Sequence, residues 1–375
     1  MRGVTFLFRV LLVVGIPLAI AAGVFFFLKK TFLDPMQPGV TAPVSFMVEP
    51  GTSFQQISGR LAAEGFVAYP IVPRLIARIR EIDTRSIKAG EYALSFGMSP
   101  LAILNKLASG DIVRRRVTVT EGMTVRDIAR VVAAAGLLKE EEFLRISQDP
   151  LLLKKWGVIA DSFEGYLYPE TYFFSLPLRG EDVIATMLKE GEKIWPEEYT
   201  SQAERLSLTR HQVLTLASII EKESGDPVEQ KLISSVFHNR LDRGMRLQSD
   251  PTVIYGIPNF NGNLTKSDLE TPTPYNTYTN EGLPPGPIGS PGRGAIQAAL
   301  FPAQSDYLYF VADGTGNHTF SAGLQEHNRA VRQLVGRDDR PQTEAPVSPA
   351  PFPSDTAGLR QQPKSPVIRL IPGRR

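Results

Sequence analysis

The stretch HQVLTLASIIEKES, residues 211–224, places a cluster of charges directly after a strongly apolar run. Its apolar residues recur at helical spacing, and at about 100° per residue they point near Ile220. On that helical wheel Lys222 points away from the apolar face, whereas Glu221 and Glu223 flank the face on opposite sides. The pattern therefore predicts a core helix with two carboxyl groups at the border of its buried face, and it does not choose between them.

A carboxyl group beside an apolar surface is a candidate acid or base catalyst. Loss of surrounding water disfavours the charged form and raises the pKa, so that the group can donate a proton at neutral pH. Cleavage of a glycosidic bond is one reaction that needs such a donor. The alternative interpretation is an ordinary charge cluster at a solvated helix end.

Three segments upstream of this helix share one layout. A short extended piece leads to a Gly turn, a Ser or Thr follows at a helix N-cap position, and apolar residues then recur at helical spacing. The extended pieces are residues 44–48, 91–94 and 117–119, and the predicted caps are Ser53, Ser99 and Thr124. We interpret the layout as strand, tight turn and capped helix, used three times, with one further helix over residues 71–80.

These elements predict an α+β fold built from several parts. Residues 31–43 carry three prolines and are interpreted as a stiff linker, residues 44–112 as a small α+β domain, and residues 113–160 as a connecting subdomain. Residues 161–337, where Tyr, Pro and Gly motifs separate helical stretches, are the predicted catalytic domain. Residues 338–375 contain eight prolines among Ser, Gln and Arg and predict a disordered tail.

The first 30 residues determine the expected compartment. Residues 10–28 contain no charged side chain, and basic residues stand on both sides of the run. Because a helix needs about 20 apolar residues to cross a bilayer, residues 1–30 predict a cytoplasmic stub and a single transmembrane helix, with the remaining chain outside the cytoplasm. The alternative is a signal peptide cleaved after Ala21, but cleavage there would leave the apolar residues 24–28 in water.

Composition excludes several classes of function. The chain has 41 Lys and Arg against 39 Asp and Glu, so there is no bulk attraction for nucleic acid. It has no Cys, which excludes disulfides, thiolate metal sites and Cys nucleophiles. The four His lie far apart without HExxH spacing, and no GxSxG motif or phosphate-binding loop occurs. We therefore predict no nucleic-acid partner, no metal and no cofactor.

Successive phrases of the sequence resemble the motifs of the MltG (YceG-like) family of endolytic murein transglycosylases. The resemblance keeps its order over most of residues 44–335. The phrases are KAGEYAL at 88–94, EGYLYPETY at 164–172, ASIIEKES at 217–224, VFHNRL at 236–241, LQSDPTVIYG at 247–256, LETPTPYNTY at 269–278, GLPPGPIGSPG at 282–292 and YLYFVADGTGNHTF at 307–320.

The resemblance implies a catalytic domain with limited lysozyme-like character and a LysM-like, glycan-binding character for residues 44–112. A domain that only spaces the catalytic part from the membrane is the alternative for this region. In the family, the second Glu of the EKE phrase, followed by Ser or Thr, is catalytic. That position is Glu223, followed here by Ser224, so the resemblance favours Glu223 over Glu221.

The implied activity is cleavage of the MurNAc–GlcNAc bond within nascent peptidoglycan strands, which would end strand elongation. One carboxyl group protonates the leaving oxygen and then takes the proton of the sugar's own 6-hydroxyl as a 1,6-anhydro-MurNAc ring closes. No second carboxylate is needed, unlike in ordinary glycosidases. The implied partners are peptidoglycan strands and the penicillin-binding peptidoglycan synthases, at the inner membrane of a bacterial cell with the catalytic domain in the periplasm.

Further polar and aromatic residues of these phrases are candidates for substrate binding, because they can hydrogen-bond sugars or stack on them. For Ser224 we also expect its hydroxyl to hold the Glu223 carboxyl. Asp250 and Asn276 fit a turn equally well. The candidates are Ser224, Gln248, Asp250, Tyr275, Asn276, Tyr278 and Glu164.

Two other functions stay open beside the transglycosylase. A muramidase-type hydrolase would use water and leave a reducing end in place of the anhydro ring. A non-catalytic peptidoglycan-binding scaffold of the cell-wall synthesis machinery would have no need for a carboxyl group at position 223.

Overall fold

Helices dominate the chain, and its strands pair only in twos. The computed structural model describes residues 14–314 and 317–338. The elements up to residue 174 are α1 (Ile16–Phe32), β1 (Val44–Val48), α2 (Phe54–Ala63), α3 (Ile71–Ile79), a 3₁₀ turn (Thr84–Ser86), β2 (Gly90–Leu94), α4 (Pro100–Ala108), β3 (Arg115–Thr118), α5 (Val125–Ala134), α6 (Glu140–Ser147), α7 (Pro150–Lys155) and β4 (Thr171–Phe174).

The later elements are almost all helical. They are α8 (Gly180–Lys193), α9 (Glu197–Arg205), α10 (Arg210–Glu223), α11 (Pro227–Asp242), α12 (Asp250–Gly256), α13 (Lys266–Glu270), α14 (Arg293–Leu300), β5 (Tyr309–Ala312), β6 (His318–Ser321) and α15 (Leu324–Asp338). The pairs β1 with β2, β3 with β4 and β5 with β6 each form a two-stranded sheet. The predicted mixed α+β class is confirmed.

The chain divides into two units. One comprises the described residues up to Val117 together with Val132–Leu138 and Thr171–Val183. The other comprises Thr118–Val131, Lys139–Glu170 and the described residues from Ile184 onward. The domain boundaries drawn from the sequence stay predictions.

The first unit contains the strand pair β1 and β2, which run antiparallel with Val44 opposite Leu94 and Val48 opposite Gly90. Their inward side chains, with those of α2 and α4, form an apolar core that includes the fully buried Phe46 and Tyr92. This arrangement is a small α+β unit, and the LysM-like character of the region stays a prediction.

The predicted layout of strand, turn and capped helix is confirmed. The hydroxyl of Ser53 accepts from the Gln56 N–H at the start of α2, and that of Ser99 accepts from the Ala102 N–H at the start of α4. Thr124 caps α5, because its hydroxyl accepts from the Asp127 N–H at 3.2 Å. Each cap fixes the residue at which its helix begins, so that the apolar positions of the helix face a core.

The predicted membrane anchor falls partly on residues 1–13, which lie outside the described residues. Helix α1, Ile16–Phe32, is 17 residues long, with most of its apolar side chains exposed. Over the part of the chain that the structure describes, no helix combines the length and apolarity needed to cross a membrane. The predicted disordered tail is residues 338–375; Asp338 ends α15, and residues 339–375 lie outside the described residues.

The second unit is built around α10, which confirms the helix predicted over residues 211–224. Every side chain from Val213 to Ile220 is buried, and α10 packs against α11 and α14. The Pro- and Gly-rich segment 286–292 is also buried, and the Ile288 N–H donates to the Ser218 hydroxyl of α10 at 3.0 Å. The middle of the central helix is therefore buried, and the side chains at its two ends are partly accessible.

Candidate active site

Glu223 is the last residue of α10, where the buried helix reaches the surface. Thr209 starts the helix with a capping box formed with Gln212. Ser224 ends it, because its backbone is extended (φ −151°, ψ 140°), and Asp226 then caps the next helix, α11. The carboxyl of Glu223 is thus fixed between two helix ends and is only partly accessible.

The Glu223 carboxyl is held by Ser249, whose hydroxyl donates to Glu223 Oε1 at 2.6 Å. Burial raises the pKa of Glu223 to about 7, while the Ser249 hydrogen bond opposes the shift. The nearby carboxyl of Asp250 adds to the rise, and His318 and Arg240 oppose it. Near neutral pH the group can therefore both donate and accept a proton.

Asp250 and Tyr278 form a second polar pair beside Glu223. The Tyr278 hydroxyl donates to Asp250 Oδ1 at 2.6 Å, and burial raises the pKa of Asp250 above its usual value. The structure thus brings two predicted site residues into contact with each other and places both near the predicted catalytic residue.

Gln248 is held in place by Arg240, a residue that sequence reasoning did not select. The buried Arg240 guanidinium donates to the carbonyls of Leu247 and Leu308 and, at 3.3 Å, to Gln248 Oε1. Gln248 has a φ of 53°, in the left-handed region that non-Gly residues rarely adopt. A residue in this conformation just before Ser249 turns the chain towards the end of α10.

The expectation that Ser224 holds the Glu223 carboxyl is wrong. The Ser224 hydroxyl donates instead to Glu229 Oε2 at 3.2 Å. The same Glu229 carboxylate accepts from the backbone N–H of His318 at 2.7 Å and contacts the His318 ring nitrogen Nδ1 at 2.9 Å. Ser224 therefore ties the turn after α10 to β6, and its predicted role in substrate binding stays a prediction.

Glu221 lies on the other side of the apolar face, as the helical wheel predicts. Its Oε2 accepts from the Gly292 N–H at 2.9 Å. Burial raises the pKa of Glu221 to about 7, and the carboxyl of Glu121 contributes to the rise. The pKa direction therefore does not distinguish Glu221 from Glu223, but their surroundings do, because Glu221 is bound to backbone and Glu223 faces Ser249 and Asp250.

Glu164 is a further carboxyl with a raised pKa. Its two oxygens accept from the Val125 N–H at 3.1 and 3.2 Å, and Oε2 also accepts from the Tyr255 hydroxyl at 3.1 Å. Burial raises the pKa of Glu164 to about 7, against the effect of these hydrogen bonds. The Tyr255 ring lies 4.7 Å from that of Tyr275, a predicted substrate-binding residue. Glu164 thus anchors an aromatic pair.

Asn276 is completely buried, and its side chain bonds to the backbone of its own loop, residues 269–278. Its side-chain NH₂ donates to the carbonyls of Leu269 and Thr271 at 3.0 and 2.7 Å, and its Oδ1 accepts from the Tyr278 N–H at 2.8 Å. These contacts fit the turn alternative that the sequence left open. They fix the position of Tyr278 beside Asp250.

Ser249, Arg240 and Tyr255 belong to the site but were not selected from the sequence. A signal for Ser249 was present, since it stands between the candidates Gln248 and Asp250. Arg240 and Tyr255 stand in the phrases VFHNRL and LQSDPTVIYG, but the sequence assigned them no role, because their partners Leu308 and Glu164 are distant in sequence. Among residues 14–314 and 317–338, no group of three or more His, Asp or Glu side chains is arranged to hold a metal ion.

Comparison with known proteins assigns the chain to a family. Residues 46–333 match the model of the YceG-like family. The chain is 32% identical over 326 residues to an endolytic murein transglycosylase of Bacillus subtilis (strain 168), which covers 83% of this chain and 90% of the relative.

Two further relatives give the same picture. An endolytic murein transglycosylase of Streptococcus pneumoniae (serotype 2, strain D39) is 32% identical over 335 residues, but the match spans 81% of this chain and only 60% of the longer streptococcal protein. A crystal structure of a yceG-like protein of Listeria monocytogenes is 35% identical, with a TM-score of 0.54 and coverage of 76% of this chain and 98% of that one.

Proposed function

The chain belongs to the YceG-like family, and on that premise we propose that it is an endolytic murein transglycosylase, a lyase that cuts peptidoglycan strands. The observation that carries the proposal is the Glu223 carboxyl, which has a pKa of about 7 at the end of a buried helix and faces a polar cluster. The names of the B. subtilis and S. pneumoniae relatives support the activity.

We infer that Glu223 acts first as acid and then as base. In its protonated form it gives its proton to the glycosidic oxygen as the bond between that oxygen and C1 of MurNAc breaks. The resulting carboxylate takes the proton of the MurNAc 6-hydroxyl as O6 bonds to C1. The products are a free hydroxyl on one strand and a 1,6-anhydro-MurNAc end on the other. Glu223 is protonated again and no water is consumed.

The surrounding residues are proposed to serve this step in different ways. Asp250, when ionised, would stabilise positive charge that develops at C1 in the transition state. Tyr278 orients Asp250 through its hydroxyl, and Gln248 is proposed to contact the sugar. Tyr275, which is partly exposed beside Tyr255, would stack on a sugar ring. Glu164 and Asn276 would act indirectly, by holding Tyr255 and Tyr278.

The raised pKa of Glu223 supports cleavage over a scaffold function. A carboxyl group with a raised pKa destabilises the folded state at neutral pH, since burial disfavours its charge. A protein that only binds glycan gains nothing from this arrangement at Glu223. The hydrolase alternative differs only in the acceptor of the sugar, because water would replace the 6-hydroxyl.

We further propose that the chain acts at the inner membrane, anchored through residues 1–30, with its catalytic part in the periplasm and beside peptidoglycan synthases. The apolar run of residues 10–28 and the exposed apolar side chains of α1 support the anchor. A LysM-like glycan affinity of residues 44–112 is proposed on sequence resemblance. A truncated chain without this region should bind less murein.

The decisive experiment is mass spectrometry of the products from purified murein. The transglycosylase gives internal fragments with 1,6-anhydro-MurNAc ends, each one water lighter than a hydrolysis product. Reducing ends in their place would assign a muramidase, and unchanged murein with retained binding would assign a scaffold.

A further inference from the structure

We propose that Ser249 is the positioning residue of the active site, holding the Glu223 carboxyl in the orientation and protonation balance that the reaction needs. This inference rests on the proposed function. It replaces the expectation from sequence that the neighbouring Ser224 makes this contact. The proposal stands on the hydrogen bond of 2.6 Å between Ser249 Oγ and Glu223 Oε1.

The backbone of Ser249 is locked by a closed ring of hydrogen bonds. The Thr252 hydroxyl donates to the Ser249 carbonyl at 2.7 Å, and the Ser249 N–H donates to Thr277 Oγ1 at 3.0 Å. The two threonine oxygens are 2.8 Å apart. Because the Thr252 proton is already used, the Thr277 hydroxyl must donate to Thr252. Each hydroxyl in the ring therefore has one possible direction.

All three residues of the ring are buried, with 1% exposure or less. In a buried site the ring cannot exchange its bonds for water at low cost, so the Ser249 backbone is rigid. Its side-chain proton then points at Glu223. A hydroxyl held in this way favours the carboxylate form over the neutral acid and returns Glu223 to one position after each proton transfer.

The groups that face Glu223 from other elements are Asp250 of α12, His318 of β6 and Arg240 of α11. The hydrogen bond to the Glu223 carboxyl itself comes from the Ser249 hydroxyl. Removal of the Ser249 hydroxyl thus changes the titration of Glu223 while these charged groups stay in place.

The test is the pH profile of Ser249→Ala. We expect turnover to fall about ten-fold or more, since a hydrogen bond to a charged group contributes about that factor. We also expect the descending limb of the profile to move to higher pH, because the donor that favoured the carboxylate is gone. Ser147→Ala is the matched control, as its buried hydroxyl donates to the Leu144 carbonyl of its own helix. It should leave both quantities unchanged.

A purely structural role predicts a different result. Turnover of Ser249→Ala would then fall equally at every pH and the limb would not move, which would overturn the proposal. If Ser249→Ala does not fold, Ser249→Cys keeps the volume with a weaker donor and should give an intermediate limb. Wild-type protein is run in the same assay. Failure of the wild type to make anhydro ends sinks the proposed function, whereas an unshifted limb in an active Ser249→Ala sinks this inference alone.

A separate observation, in the first unit, points to contact with a lipid surface. Helix α3 exposes a stripe of apolar side chains one turn apart, Ile71, Leu75 and Ile79, with 51%, 38% and 68% of their surface accessible. The opposite face of the helix, with Val72 and Ile76, is buried in a core. We propose that this stripe, together with its arginines, docks on an anionic bilayer surface.

Charge and neighbourhood select a bilayer as the partner. Arg74 and Arg78 are exposed on the same helix, Arg80 is exposed directly after it, and residues 69–80 contain no Asp or Glu. An apolar stripe flanked by arginines suits the boundary between acyl chains and anionic headgroups. In addition, Phe32 at the end of α1, a helix with exposed apolar side chains, packs against the buried core of α3, so the two helices are neighbours.

The full chain offers a direct test, because it has no native Cys. Leu75→Cys and Ile79→Cys would each carry an environment-sensitive fluorophore, with Ala63→Cys on the exposed face of α2 as control. On vesicles of phosphatidylcholine and phosphatidylglycerol, we expect a blue shift and quenching by brominated lipid at positions 75 and 79 but not at 63. Arg74→Glu with Arg78→Glu should weaken the quenching.

Three outcomes would overturn the docking proposal. Water-like emission at 75 and 79 on vesicles would exclude lipid contact. A blue shift without vesicles would show that another segment or a second copy covers the stripe. Equal quenching at all three positions would show that the stripe is not specific.

Discussion

Glu223 and Glu221 lie two residues apart on α10, and burial raises the pKa of both to about 7. They differ in their partners, because a serine hydroxyl holds Glu223 and a backbone N–H of Gly292 holds Glu221. Substitutions at the two residues can therefore be compared to find which carboxyl transfers the proton.

Glu223→Gln should lower the rate of anhydro product formation by about 10²- to 10⁴-fold, the usual contribution of general acid–base catalysis. Gln keeps the shape and can still accept from Ser249, so the protein should fold. Glu221→Gln is the matched control and should lose far less activity. Product analysis by mass spectrometry measures both. An inactive Glu221→Gln beside a near-normal Glu223→Gln would reverse the assignment.

The pH dependence follows from the same group. Glu223 must start the reaction protonated, and its folded pKa is about 7. Turnover should therefore be highest below that value and fall as the pH rises through it. Initial rates on purified murein across this range provide the measurement. A rate that climbs with pH in this window would mean that the ionised form starts the reaction, as in a water-activating base.

A side chain in the middle of helix α10 holds the buried segment 286–292 against the helix. The Ser218 hydroxyl donates to the Thr215 carbonyl and accepts from the Ile288 N–H, which ties the buried segment 286–292 to the helix. The burial of Ile288 leaves its N–H without water as an alternative partner. The segment is therefore tied to the helix by the Ser218 hydroxyl and, at the Gly292 N–H, by the Glu221 carboxyl.

Ser218→Ala should destabilise the protein by about 1 to 3 kcal/mol, because it leaves a buried N–H without an acceptor. Ser234→Ala on α11 is the matched control. Ser234 is fully buried, and its hydroxyl has no partner among the described residues, so its removal should be neutral or stabilising. Urea unfolding measures both changes. Equal losses would show that volume, and not the hydrogen bond, accounts for the effect.

At the scale of the whole molecule, the proposed membrane anchor, residues 1–30, allows a test of whether the protein is processed. We expect the mature chain to retain them, since cleavage after Ala21 would leave an exposed end rich in Phe. Intact-mass measurement of membrane-extracted protein tests this. A mature chain that starts near Ala22 would show a secreted enzyme instead.

Local sequence was sufficient for the helices and their caps. Ser53, Ser99 and Thr124 each precede a helix as predicted, and apolar spacing located α10 to within one residue at each end. These features depend on hydrogen bonds and periodicities within a few residues, which the sequence displays directly. The family motifs likewise determined the proposed reaction and its single carboxyl.

The arrangement of the site was decided only by the tertiary structure. Ser249 lies 26 residues from Glu223, Tyr255 lies 91 from Glu164, and Arg240 reaches a carbonyl 68 residues away. Ser224, the neighbour of Glu223 in sequence, bonds to Glu229 instead, because the extended backbone at the helix end turns it away from the carboxyl. Which hydroxyl meets a carboxyl depends on packing between helices, and adjacency in sequence does not encode it.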